Sequence, residues 1–439
     1  MRGPGDKSAM SPRVKPRVVR YLAFSALGVG LIWAIITHSL VAALVEIEPS
    51  QALVLAPANS AALLAMAERK LATLRSQRLS SNEPSSGYPD EEQLRRTVEL
   101  RQWVSAVLAQ EPGNARALAI LGELEAGKGK GAATLLRAAA RRSLREFYPH
   151  AWLVHEAIEQ QDWALAMQRG DVLMRLHENA IAPLTPLLAE MAEKPDASAA
   201  ILAAVARAPP WRARFLGGVL GAVTDARTPL RFLLAMKEAG TPPTIYELRS
   251  YLDFLVERKF YDLAYYTWLQ FLPRDQLGTV GLLFNGNFEI HPTGLPFDWV
   301  LPSEGSATVA IVRRADRPSD RALFIELGHG RVDVGRISQL LRLQPGRHRV
   351  TGNVMGDVVG RRGVRWRVAC LDQPSRLIAE SEMIIGRIEA WTAFSFFVIV
   401  PEIGCRAQDI RLELDARTPS ERLISGSIWF DDLSIRRAP

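Results

Sequence analysis

Three stretches near the C-terminal end set the chemical possibilities of this chain. In VRWRVAC, Arg365 and Arg367 alternate with Val364, Trp366, Val368 and Cys370. In RHRVTGNV, Arg347, Arg349, Thr351 and Asn353 alternate with Val350, Gly352 and Val354, and in DIRLELD, Arg411, Glu413 and Asp415 alternate with Ile410, Leu412 and Leu414. A period of two places each polar set on one face of a strand. If the strands are neighbours, one face carries Arg349, Arg365, Arg367 and Arg411, a row that can grip carboxylates of an acidic glycan bidentately. The same pattern also describes a solvated face of cross-strand ion pairs, Arg against Glu or Asp. Trp299, Trp391 and Trp429 are the rings on which a sugar could stack; Trp299 follows the loop HPTGLPFD and is the one set down as a binding residue.

Catalytic chemistry finds little footing. Glycosidases need two carboxyl groups across a cleft, whereas Glu380 and Glu382 sit at i and i+2, on one strand face among apolar residues. No GxSxG elbow, P-loop, GxGxxG with a following acid, or HExxH is present. Gly328-His329-Gly330 reads as a hairpin turn, and His150 and His155, five apart, share no helix face for a metal. The expectation is a binding protein, not an enzyme. Cys370 and Cys405 are the two cysteines; an oxidising compartment predicts a disulfide between them, a cytosolic one two unrelated thiols.

What must position these groups begins with residues 21–45, which hold no Asp, Glu, Lys or Arg. As a helix they reach roughly 37 Å, enough to cross a hydrocarbon core of about 30 Å. Residues 1–20 carry six basic groups and one acid, so the arm stays cytosolic and the rest lies outside. A cleaved signal peptide with Val41-Ala42-Ala43 at its site is the competing reading; the length of the apolar run favours an uncleaved anchor. The arm also supplies +5 of the net charge of +7, and residues 281–439 balance 21 Arg against 19 acids. The basicity therefore orients a membrane segment and does not mark a nucleic-acid partner.

Residues 46–280 read as helical, with 79–92, LSSNEPSSGYPDEE, as a flexible loop. Pro57-Ala58-Asn59 and Pro112-Gly113-Asn114 each open a helix, and Gly122 and Ala133 are small enough for close helix pairing. QQDWALA at 160–166 and RKFYDLA at 258–264 mark further hairpin turns, with Gln161 where a turn glycine is usual. Ala208-Pro209-Pro210-Trp211 and Thr241-Pro242-Pro243 break helices. The hairpins resemble degenerate tetratricopeptide repeats, which implies a groove for a partner protein; the alternative is an irregular helical spacer. The aromatic run Tyr261, Tyr265, Tyr266, Trp268 and Phe271 reads as packing against the next domain.

At Leu282 the period changes from 3.6 to 2, and residues 281–439 read as a domain of short strands, an antiparallel sandwich or jelly roll. Eleven segments fit, from LLFNGNFE and FDWVLP at the start to SIWFDDLSI at the end. Asn285-Gly286-Asn287-Phe288-Glu289 followed by Phe297-Asp298-Trp299, the strand containing Gln339, the Leu343-Gln344-Pro345-Gly346 turn, Trp391, Val400-Pro401, and Trp429-Phe430-Asp431-Asp432 resemble galactose-binding-like carbohydrate-binding modules. That resemblance implies a structural calcium, with Glu289 and Asp431 at the matching positions and Asp432 as a substitute; no other cofactor is expected. Joined to an anchor and helical repeats, the module is similar to proteins of bacterial exopolysaccharide assembly. The resemblance implies an inner-membrane, single-pass scaffold facing the periplasm, binding an envelope partner through the repeats and glycan through the jelly roll. A pure protein adaptor and a glycan-modifying enzyme are the alternatives.

Overall fold

The structure, a computed structural model, describes residues 16–80, 91–126, 130–328, 330–372 and 376–439. Residues 1–15 of the basic arm, residues 81–90 of the expected loop and His329 lie outside these. The chain divides into two compact units, Met1–Ala180 and Ile181–Pro439. The division falls within the helical region, so the helices after Ala180 belong with the sheets.

The first unit opens with α1 (Pro16–Ile47), of which Leu27–Ile47 is long and apolar enough to cross a membrane by length and composition. Leu27, Val29, Ile32, Trp33 and Ile35 are all exposed, so the chain itself does not bury this surface. The C-terminal end of α1 is held by Val41 against Ala52 of α2 (Pro49–Leu55) and Ala62.

Hairpins follow: α3 (Ser60–Ser80) with α4 (Glu91–Gln110), α5 (Ala115–Leu124) with α6 (Lys130–Arg142), and α7 (Phe147–Glu159) with α8 (Trp163–Leu176). The first helices of successive hairpins also touch, α3 with α5 and α5 with α7. Asn59 and Asn114 cap α3 and α5, their Oδ1 atoms accepting the N–H of Ala62 at 2.9 Å and of Ala117 at 3.0 Å. At Gly122 a Cβ would lie 2.7 Å from the Leu136 side chain, so α5 and α6 approach as they do only over glycine. The α7–α8 turn closes with Asp162 N–H on Ala157 O at 2.8 Å and Gln161 N–H on Ile158 O at 3.0 Å. That geometry puts Gln161 at φ 56°, the left-handed region glycine favours.

The second unit continues with α9 (Ile181–Glu193), α10 (Pro195–Ala206), α11 (Arg212–Val219), α12 (Thr228–Glu238), α13 (Ile245–Glu257) and α14 (Tyr261–Phe271). Both proline breaks fall between helices, and Thr244 with Glu247 forms a capping box at the start of α13. Glu247 also takes the Arg212 guanidinium at 2.9 and 3.1 Å. Trp268 of α14 is buried against Phe284 and Phe297, at ring distances of 5.1 and 5.8 Å. The aromatic run thus packs helix on sandwich.

The strands are β1 (Ala307–Arg313), β2 (Arg321–Leu327), β3 (Ile337–Leu341), β4 (Gly346–Gly360), β5 (Val364–Cys370), β6 (Leu377–Glu380), β7 (Gly386–Val400), β8 (Gln408–Leu414) and β9 (Ile424–Arg437). All pairings are antiparallel, in a five-stranded sheet ordered β1-β2-β9-β4-β7 and a four-stranded sheet ordered β3-β8-β5-β6. Trp299, Trp366, Phe288 and Phe430 fill the space between them, with Trp366 in edge contact with Trp299 at 5.7 Å and Phe430 at 5.3 Å.

Two expected strands, LLFNGNFE and FDWVLP, are corrected: apart from one bridge at Val300 the stretch is a pinned loop. Asn285 and Phe288 turn left-handed at φ 52° and 56°, which ends any ladder. The Gln339 amide, fully buried, stands in for a strand partner by bonding both the N–H and the C=O of Phe284 at 2.9 Å. Gly286 lies so close to Leu433 that a Cβ would sit 1.9 Å from its carbonyl oxygen.

Candidate functional site

The expected arginine row is divided between two sheets. Arg365 and Arg367 on β5 and Arg411 on β8 share the outer face of the four-stranded sheet, whereas Arg349 on β4 belongs to the five-stranded one. This corrects the single-face arrangement. Alternation fixes which residues of a strand share a face, and strand order decides which strands meet.

On the four-stranded face every one of these cations is answered. Arg365 reaches Asp415 at 3.1 Å and Glu380 at 3.2 Å; Arg367 reaches Asp415 at 2.6 Å, Glu413 at 2.9 Å and Glu380 at 3.3 Å; Arg411 reaches Glu413 at 2.8 Å. Register sets Arg367 opposite Glu380 on one side and Arg411 on the other, with Glu413 taken by both guanidiniums, while Arg365, opposite Glu413, pairs diagonally with Asp415 and Glu380. An anion arriving there competes with carboxylates already in place around Arg365, Arg367 and Arg411.

The five-stranded face is different at one corner. Arg349 stands opposite Arg436 of β9 on one side and Phe397 of β7 on the other, and Arg347 stands opposite Ile399. Phe397 is 47% exposed and Ile399 65%, both on the solvent side of a strand whose Phe396, Val398 and Val400 are buried. The Arg347 guanidinium lies 3.8 Å from the Phe397 ring centre, and that of Arg349 5.9 Å. Arg349 bonds the Ser395 hydroxyl at 3.1 Å, and among the described residues neither it nor Arg347 nor Arg436 is in an ion pair with a carboxylate. Like charges directly opposite across strands repel, although the Arg349 guanidinium is turned to Ser395 and Phe397 on β7. Further along this face, Phe324 and Trp429 form a tilted cross-strand ring pair at 4.8 Å, flanked by Ser427 and Met355. Arg347, Arg436 and Phe397 of this corner were not singled out in the sequence. The signal was available in WTAFSFFVIV, where Phe397 and Ile399 break the alternation of a half-solvated strand.

Trp299 is no stacking platform, which corrects its assignment. The ring is fully buried, with Nε1 donating to Asn285 O at 2.9 Å. Trp391 sits beneath the Arg314 guanidinium at 4.0 Å and donates to Asp316 at 3.2 Å. Cys370 at the end of β5 and Cys405 in the loop after β7 are joined in a disulfide.

The residues matched to a calcium site do not fit one. Glu289 accepts the backbone N–H of Arg321 at 2.7 Å. Asp431 accepts Arg314 Nη1 at 2.5 Å and the Asp432 N–H at 2.7 Å. The buried Arg314 guanidinium, forked onto Asp316 at 2.7 and 3.1 Å as well, supplies the positive charge a metal would bring. Hydrogen bonding from Arg314 holds the Asp316 carboxyl down at about 2, and burial pushes that of Asp431 up. Asp432, the substitute ligand, accepts from the Asn353 amide at 3.1 Å. No cluster of three or more potential ligands occurs among the described residues.

Two further clefts are relevant to ligand binding. One of 710 Å³ lies in the first unit on α3, α5 and the start of α7, with Leu71, Ile120 and Tyr148 in its wall. The other, 610 Å³, lies in the second unit between the α13–α14 turn and Arg406.

No family model matches this chain, and no curated protein matches it. Among solved structures, a CBM4 module is similar at 15% identity over 36% of this chain and 99% of its own, with a TM-score of 0.28. A structure described as Family 16 Carbohydrate Binding Module-2 is similar at 14% identity over 36% of this chain and all (100%) of its own, with a TM-score of 0.26. The CBM22-1 xylan-binding domain of Paenibacillus barcinonensis Xyn10C is similar at 14% identity over 32% of this chain and 87% of its own, with a TM-score of 0.23. The ligands of those modules are properties of those proteins.

Proposed function

We propose that this protein is a membrane-anchored, non-catalytic accessory factor of envelope or extracellular polysaccharide production, which holds an acidic glycan at the Arg347, Arg349 and Arg436 corner of its five-stranded sheet. One observation carries the reading. Arg349 and Arg436 face each other across β4 and β9 without a carboxylate, while the arginines of the other sheet are all neutralised. A carboxylated sugar would relieve that repulsion by charge-assisted bonds, and its apolar face would cover the exposed Phe397 ring. In this reading Leu27–Ile47 is the anchor, the sheets lie on the periplasmic side where a disulfide persists, and the α3, α5 and α7 cleft takes a segment of an assembly partner.

The experiment is affinity electrophoresis of the detergent-solubilised protein through polygalacturonate and through a neutral glucan, at rising salt. Retardation by the acidic polymer alone, fading as salt rises, is the expected result. Equal retardation by the neutral polymer, or none by either, would remove the corner from consideration and leave the adaptor reading based on the α3, α5 and α7 cleft.

A further inference from the structure

The 610 Å³ cleft of the second unit has the size of a ligand pocket, which typically falls in about 300–1,000 Å³. Three separate elements bound it, and each is pinned. Glu193 on α9 accepts the N–H of Thr224 at 2.7 Å, that of Asp225 at 2.9 Å and the Thr224 hydroxyl at 2.7 Å, fixing the α11–α12 loop. The α13–α14 turn closes with Phe260 N–H on Leu255 O at 2.8 Å and holds Lys259 left-handed at φ 64°. The third wall is the loop after Cys405, tied by the disulfide and by Asp372, which takes the Arg406 N–H at 2.8 Å and its guanidinium at 3.0 Å.

The chemistry of the walls is uneven in one respect. Of the cleft's carboxylates, Asp262 takes Arg342 at 2.5 Å, and Asp225 accepts the backbone N–H of Arg227 at 2.9 Å. The side chains of Arg227 and Lys259 are exposed, and among the described residues neither is in an ion pair. Between them stand Tyr261, with Arg406 over its ring at 5.4 Å, and the exposed rings of Phe260 and Tyr266. Tyr266 has Arg342 over its ring at 5.3 Å, so Phe260 is the open ring beside Arg227 and Lys259, and two cations beside one open ring suit a ligand with carboxylates and an apolar ring face, which is the chemistry of a uronate-bearing saccharide.

Position connects this cleft to the sheet corner. Gly346 opposes Val400 and Arg347 opposes Ile399, and from Val400 the chain runs through residues 401–406 directly to the cleft wall. Arg349 stands opposite Phe397, nine residues before Arg406, and nine residues span at most about 32 Å, so both sites lie within reach of one extended polymer. We propose that the Arg227 and Lys259 cleft is a second subsite for the same acidic polymer, one glycan chain running from the Arg349 corner along residues 401–406 into the cleft. The inference rests on the reading of the corner given above. Two linked subsites make binding bivalent, so a long polymer should bind about 100-fold more tightly per chain than a short oligomer that fills either site alone.

The test uses the full protein in detergent with trigalacturonate and with polygalacturonate, measured by calorimetry, for the parent, Lys259→Gly, Arg227→Ser and Arg349→Ser. Glycine fits the left-handed position better than lysine, so Lys259→Gly should melt no lower than the parent and lost affinity cannot be charged to unfolding. Each variant should lower polymer affinity at least about tenfold while trigalacturonate still binds at the remaining site. Unchanged polymer affinity in both cleft variants, with Arg349→Ser weakening it, would overturn the second subsite and leave the corner standing. Loss confined to the cleft variants would overturn the corner and the path together, and no loss in any variant would do the same.

Discussion

Asp409 should make the second unit less stable at neutral pH than in mild acid, and replacing it with asparagine should remove that penalty. The residue stands near the start of β8, between Leu340 of β3 and Ala369 of β5, and is only 6% exposed. Its Oδ1 has no hydrogen-bond partner, and Arg336 and Arg411 come no nearer than 4.0 Å. Burial therefore outweighs the pull of the two guanidiniums and pushes the carboxyl from 3.8 up to about 6. The folded pKa lies above the unfolded one, so the native state keeps an extra proton between those values. Stability is unaffected by this group below pH 4, declines as pH rises through 6, and is fully penalised above it. The displacement of roughly two units corresponds to about 3 kcal/mol, or roughly 6–12 °C in the melting of a unit of this size. Asp409→Asn keeps the shape without the charge, so its melting temperature should exceed the parent's by that amount at pH 7.5 and match it at pH 4. Scanning calorimetry of both proteins across this range reads the difference directly. An asparagine variant that melts lower at pH 7.5, or a difference that does not vary with pH, would refute the reasoning.

Three further outcomes follow from particular contacts. Gln161→Gly, at a left-handed helix terminus, should stabilise the first unit by about 0.5–1 kcal/mol once the entropy of glycine in the unfolded chain is set against the relieved strain, read as a shift in the urea midpoint. Reducing the bond between Cys370 and Cys405, 35 residues apart, releases loop-closure entropy, worth about 4 kcal/mol; dithiothreitol should lower the melting temperature of the parent and leave a double serine variant unmoved. Calcium or EDTA should shift the melting temperature of neither unit, because Arg314 already neutralises Asp431; a calcium-dependent rise would show that the two carboxylates rearrange around the metal.

Much of the architecture was legible because it is local. The caps at Asn59 and Asn114, the close approach at Gly122, the proline breaks and the change of period near residue 280 are written in short windows. Strand faces were legible too: Val350, Trp366 and Ile410 point inward as alternation requires. What escaped depends on long-range pairing. Arg349 and Arg365 look equivalent in sequence, yet one faces Arg436 across β9 and the other joins Asp415 and Glu380. The opening NGNFE stretch has strand-like composition, but the left-handed Asn285 and Phe288 convert it into a loop that seats Trp299 in the core. Nothing in composition marks the division at Ala180, where helices continue on both sides and only their packing partners change.

The central claim is that an unneutralised arginine pair, and not the arginine-rich sheet face, receives an acidic glycan. Reversing charge at each place separates the two most directly: Arg349→Glu with Arg436→Glu on one protein, Arg365→Glu with Arg367→Glu on another, both titrated with polygalacturonate at low and high salt. Loss of binding by the first protein, at an unchanged melting temperature, is the predicted result. The second should unfold more readily, because the carboxylates of its lattice lose their partners, yet bind as before while folded. Equal affinity of the first protein and the parent would contradict the account.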